Sequence, residues 1–174
     1  MAPVIDAALP VWPVPGIEAI RERWADRAED FTSGPDYAFD WVPNQPPGPP
    51  RDLQGTERWD ISFGESPEGL KNTITVHLSP VDTYTEDPDF EQAFGWKPRG
   101  EVWIEVWKSE DVLGLFMHAC ELVAEIAEAC TGLVGLDPDK GPPDGYRRTD
   151  FGVYVTADVF RDMMLEPGFA RRMC

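Results

Sequence analysis

The chain has 174 residues, 42% of them hydrophobic, with seven tryptophans and nine phenylalanines, which suits one packed core and is short for two. Its net charge of −17 excludes a protein that grips nucleic acid or an anionic membrane through a basic footprint. No apolar run of about 20 residues spans a bilayer, and the first residues lack a basic n-region and an unbroken apolar stretch, so a cytoplasmic protein is expected.

Residues 1–15 read as an extended segment punctuated by Pro3, Pro10, Pro13 and Pro15. In "GIEAIRERWADRAEDF", Ile17, Ile20, Trp24, Ala28 and Phe31 recur at three- and four-residue intervals, which predicts an amphipathic helix stopped at Gly34-Pro35. "YAFDWVP", Tyr37 to Pro43, reads as a strand, and residues 44–52 form a Pro-rich loop that cannot continue a sheet.

"RWDISF" and "NTITVHLS" both alternate, and "GESPEG" between them is a turn, so the pair predicts an antiparallel hairpin with Trp59, Ile61, Phe63, Ile74, Val76 and Leu78 inward. His77 alternates with those inward residues and is expected at the surface. A short helix is expected near Phe90 to Phe94. "GEVWIEVWKS" is the strongest strand: Val102, Ile104 and Val106 face one way, and Trp103 and Trp107 the other. Apolar residues on both faces predict a central strand covered by a helix, with both tryptophans largely buried.

A long helix follows from about Glu110 to Thr131, with Ser109 as its cap, acids in its first turn and Gly132 as its stop. "LVGL" and "FGVYV" are short strands around the loop "DPDKGPPDGYRRTD", and Thr156 caps a last short helix. The sum is a single α+β domain over residues 1–174. It has a mostly antiparallel sheet packed against one long helix, plus an N-terminal helix and a short C-terminal helix.

Chemical motifs are sparse. Cys120 and Cys130 share the long helix, roughly 15 Å apart, too far for a disulfide, and with Cys174 they read as reduced thiols. The loop from Asp137 fails as a calcium site, because Pro142 and Arg148 stand where an EF-hand needs Gly and Glu. No nucleophile elbow, zinc-protease motif, P-loop or dinucleotide fingerprint is present.

One stripe needs weighing. His118, Glu121, Glu125 and Glu128 lie on one side of the long helix at about 100° per residue. The apolar set centred on Ala119 and Val123 takes the opposite side. Ligands of a carboxylate metal site would point into the core, where other groups can hold them. The stripe therefore reads as a solvated acidic face. A small metal-binding protein or enzyme centred on it is the alternative. No metal or other cofactor is expected.

The charge is unevenly spread. Residues 37–131 carry 18 acids against 6 bases, and residues 132–174 carry 7 against 6. The sharpest run is "DTYTEDPDFE", where Asp82, Glu86, Asp87, Asp89 and Glu91 occur without a base and with Tyr84 and Phe90 among them. An acidic loop with aromatic anchors suits entry into a basic cleft of a protein partner, and the alternative is that Tyr84 and Phe90 simply pin the loop to the core. An acidic nucleic-acid mimic shares the charge but would space its acids along one surface.

The C-terminal third, from "LVAEIAEACTGLVGLD" through "FGVYVTADVF" to "RDMMLEPGFARRM", resembles small bacterial immunity proteins of polymorphic-toxin systems over roughly residues 100–172. The resemblance implies an acidic cytosolic antitoxin, not an enzyme, that binds a cognate toxin protein and blocks its active site.

Overall fold

The computed structural model describes residues 3–36, 56–81, 88–107, 110–137 and 153–174. Seven strands form one antiparallel sheet: β1 (Val4–Leu9), β2 (Asp30–Gly34), β3 (Glu57–Glu65), β4 (Lys71–Pro80), β5 (Gly100–Val106), β6 (Leu133–Leu136) and β7 (Val153–Thr156). Their spatial order is β2-β3-β4-β5-β1-β6-β7. Among the described residues five helices join this sheet in an α+β fold: α1 (Ile17–Arg27), α2 (Pro88–Phe94), α3 (Val112–Ala129), α4 (Ala157–Met164) and α5 (Phe169–Met173).

The hairpin of β3 and β4 forms with Ile61 opposite Ile74 and Trp59 opposite Val76. β5 is the fourth strand of seven, so it is central as its two-sided apolar pattern predicts. Period-2 alternation sends Ile5, Ala7, Trp59, Ile61, Ile74, Val76, Val102, Ile104, Val134 and Val155 to one face, where all are buried. The apolar side of α3 lies against this face through β1, β4, β5 and β6, and α4 and α5 pack on α3 in turn. Each fully buried Val, Leu or Ile there contributes about 1.5–3 kcal/mol of transfer free energy.

The N-terminal segment departs from expectation. Val4–Leu9 is not an appendage but an interior strand, paired with β5 on one side and β6 on the other. Pro3 and Pro10 flank these six residues rather than interrupt them, so every ladder position has an N–H to give.

The first helix is also shorter than its spacing suggests. It ends at Arg27, Ala28 turns extended at φ −89° and ψ 152°, and residues 30–34 pair with β3. Phe31 keeps helical spacing from Trp24 by coincidence. In β2 it packs on Trp59, with ring centroids 5.8 Å apart.

The N-cap of α3 is Asp111, whose side chain accepts from the Gly114 N–H at 3.0 Å, and no acid lies in the first turn. Ser109 lies outside the described residues. At the other end, Gly132 N–H bonds Ala127 O at 2.7 Å and Thr131 N–H bonds Glu128 O at 3.2 Å. This is a Schellman stop whose left-handed residue is Thr131, at φ 57°, and not the glycine. Gly132 serves a different need: a Cβ there would stand 2.7 Å from the Ala8 carbonyl oxygen of β1. Thr156 caps α4 as predicted, accepting from Val159 N–H at 3.3 Å.

Cys120 and Cys130 are buried free thiols, and burial raises the pKa of both, that of Cys130 to about 11. The expected strand at 37–43, the Pro-rich loop at 44–52 and most of the loop before β7 lie outside the described residues. Among those residues no helix is long and apolar enough to cross a membrane.

Candidate functional site

The alternation that buries one face of the sheet sends a polar set to the other. Register aligns this set in rows. Arg58, His77, Trp103, Asp6, Gly135 and Tyr154 cross the sheet in one row, and Asp60, Thr75 and Glu105 lie in the next. A central sheet face of this kind is normally apolar, so its polar groups need partners.

They find them in a connected network. Arg58 donates to both oxygens of Asp60, at 3.1 and 3.2 Å. The Thr75 hydroxyl donates to Asp60 Oδ1 at 2.7 Å and accepts from the Trp107 indole N–H at 2.6 Å. Its oxygen is thus engaged and fully buried, which disqualifies it as a nucleophile. His77 Nδ1 lies 2.6 Å from Asp36 Oδ2, and Nε2 lies 3.4 Å from Glu105 Oε2. The ring stacks on Trp103 with centroids 4.3 Å apart.

His77 therefore is not the surface histidine that strand alternation suggested. It is 4% exposed, and its Asp36 partner is fully buried. Alternation correctly turned it away from the apolar core, but Trp103 and Asp36 enclose it on the other side. A buried imidazole between two carboxylates orders β2, β4 and β5 with respect to one another.

A cavity of about 330 Å³ opens on the same face, lined by Asp6, Glu101, Trp103, Phe90 and Tyr154 among others. Water reaches Asp6, yet protein surrounds it on the cavity floor. That partial desolvation, with Glu101 adding like charge, raises its pKa to about 6. Glu101 also accepts from the Ser79 hydroxyl at 3.3 Å. Strands β5, β1, β6 and β7 contribute Asp6, Glu101 and Glu105 to this face and contain no lysine or arginine. The arrangement offers carboxylate acceptors that suit a cation.

The stripe on α3 has a different fate. Glu125 accepts from the Arg23 guanidinium at 2.8 Å through Nε, and from the Trp24 indole at 2.7 Å. Glu121 pairs with Arg27 at 2.7 Å and Glu128 with Arg161 at 2.7 Å. Glu121 and Glu128 are exposed, as a solvated face would have them, and Glu125 is partly buried; all three also tie α3 to arginines of α1 and α4. His118 stacks on Phe63 with centroids 4.1 Å apart. Burial lowers its pKa, Arg27 adds to that, and Glu121 and Asp111 oppose it. Wheel geometry turned the three glutamates away from the sheet, but His118 lies against Phe63 of β3. The wheel could not show the arginine partners that α1 and α4 bring from elsewhere in the chain.

Of the acidic run, Asp82, Tyr84, Glu86 and Asp87 lie outside the described residues, as does the side chain of Asp89. Phe90 is not an exposed anchor. It is 1% exposed, in an aromatic cluster with Phe94, Trp96 and Tyr154 at centroid distances of 4.8, 4.8 and 5.0 Å. Glu91 is exposed, with Lys97 Nζ at 3.7 Å. The expected burial of both tryptophans is also corrected: Trp103 is half-buried and Trp107 is 50% exposed, because both project from the polar face and not from the face under α3.

Sequence reasoning missed Asp6, Asp36, Asp60, Glu101 and Glu105. The two glutamates of "GEVWIEV" share the period-2 face with Trp103, a signal open to the eye. The aspartates come from three other segments, and only strand pairing assembles them. Comparison with protein families, curated proteins and solved structures finds no match to this chain.

Proposed function

We propose that this chain is an acidic cytoplasmic immunity protein that binds a basic toxin domain and blocks its active site. One observation carries the reading. Five arginines of the helices pair with carboxylates near them: Arg21 with Glu57 of β3, Arg23 with Glu125, Arg27 with Glu121, Arg161 with Glu128 and Arg172 with Glu166. The strands around the Asp6 cavity bring carboxylates and no bases. The polar face around Asp6 and the acidic run of residues 82–91 supply the negative surface of this reading. A field of one sign on one side steers a basic partner and orients its docking.

The contact comprises Glu101, Glu105 and Asp6 on the sheet, with Asp82, Tyr84, Glu86, Asp87, Asp89 and Glu91 from the run. Phe90 supports that surface from within.

The test is a binding titration against the toxin domain encoded beside this chain's gene, at two salt concentrations. Glu101→Gln with Glu105→Gln, and Asp87→Lys with Asp89→Lys, are each expected to weaken affinity by about tenfold and flatten the salt dependence. Glu128→Gln, on the helix layer, is expected to leave both unchanged. Absence of a neighbouring toxin gene, or equal affinities and salt slopes for all variants, defeats the proposal.

A further inference from the structure

The cavity of about 330 Å³ has the size of a small ligand pocket and an unusual pair of walls. Asp6 sits opposite Trp103 in the β1–β5 register, and Glu101 lies two residues before Trp103. Diagonal neighbours of this kind stand about 7–8 Å apart, so both carboxylates border one space with the indole between them. Gly135, opposite Asp6 on β6, makes that placement possible: a Cβ there would lie 2.7 Å from Asp6 Oδ2. Tyr154 and Phe90, in edge-to-face contact at 5.0 Å, form the aromatic side. Asp6 makes no ion pair among the described residues.

We propose that this cavity receives a guanidinium group, the end of an arginine side chain presented by the basic partner. The proposal rests on the toxin-binding reading and names its anchor. Two carboxylates supply the opposite charge and the acceptors for a planar fork of donors. Trp103 and Tyr154 supply ring surfaces on which a weakly hydrated guanidinium stacks, as an ammonium does less well. Among the described residues Asp6 faces no competing cation: β5 presents Glu101 to it, β6 presents Gly135 and β7 presents Tyr154.

The probes are N-acetyl-arginine amide and its neutral isostere N-acetyl-citrulline amide, titrated into the intact protein while the Trp103 indole N–H resonance is followed. Saturable binding of the arginine compound is expected, at least about tenfold tighter than that of the citrulline compound. Asp6→Asn should weaken it by a similar factor, and so should Glu101→Gln, which leaves β1 and β6 untouched. Asp158→Asn, on the exposed side of α4, should not change it. Binding should also weaken as pH falls through about 6, where Asp6 takes up its proton.

Equal binding of both amides, or full affinity in Asp6→Asn and Glu101→Gln, overturns the proposal. No toxin enters this experiment, so arginine binding without toxin binding sinks the immunity reading alone. Toxin binding without arginine binding sinks the pocket alone.

Discussion

The two faces of the sheet are built from the same strands and differ in what neutralises them. On the helix-covered face, apolar side chains fill the space under α3, and Arg23, Arg27 and Arg161 pair with the three glutamates of α3. On the polar face, Arg58 and Lys71 serve Asp60 and Asp30 at the β2–β4 end, and the strands from β5 to β7 bring only acids. The first face is organised for stability. The second carries acids on strands that bring no base of their own, which is the ground for the proposal that a basic partner meets it.

The sharpest way to test that contrast is to truncate one tryptophan from each face. Trp59→Ala removes a fully buried ring under the helices and should destabilise by about 3–5 kcal/mol. Trp107→Ala removes a ring that is 50% exposed, and its cost should stay near the 1–2 kcal/mol of leaving Thr75 without a donor. Urea unfolding of both variants measures the difference, and equal losses would erase the distinction between the faces.

The buried histidine is the exception on the polar face, and it should behave like core. Asp36→Ala leaves His77 Nδ1 without its 2.6 Å partner and should cost about 2–3 kcal/mol in the same assay. A loss below 0.5 kcal/mol, the range of an ordinary surface change, would show that the pair is not part of what holds β2 and β4 together.

A smaller effect separates the faces by pH. The folded-state pKa of Asp6 is raised to about 6, above its ordinary 3.8, so the native state holds this proton more tightly than the unfolded chain. Stability from this group is therefore present below about pH 4 and declines as pH rises to about 6. Asp6→Asn should remove that decline, making the variant relatively more stable at pH 7. The gain should be about 1 kcal/mol once screening by the water that reaches Asp6 is allowed for. Thermal melts of both proteins at pH 4 and pH 7 read it, and a parallel shift would refute it.

The smallest change lies on the helix layer. Thr131 holds φ 57°, a conformation that costs a residue with a Cβ roughly 1–2 kcal/mol. Thr131→Gly relieves this but loosens the unfolded chain, so a net gain of about 0.5–1 kcal/mol is expected. A destabilised variant would mean that the threonine side chain holds the α3–β6 turn by a contact of its own.

Local pattern was enough for much of the architecture. Alternation in "RWDISF", "NTITVHLS" and "GEVWIEV" specified three strands, their inward residues and the hairpin, because a strand's two faces are set by a period of two whatever lies nearby. The long helix and its apolar side followed from a period of 3.6, and Thr156 from cap chemistry.

Partners across the chain were another matter. Whether Val4–Leu9 is a tail or an interior strand depends on β5 and β6 having open edges for it. Whether Glu125 is wet or clamped depends on Arg23, 102 residues away. His77 and Asp36 are 41 residues apart, and Asp6 and Gly135 come from opposite ends of the chain. Periodicity reports the direction a side chain takes from its own backbone. What it meets there is decided by long-range pairing, and on the polar face that pairing gathered scattered acids around one cavity.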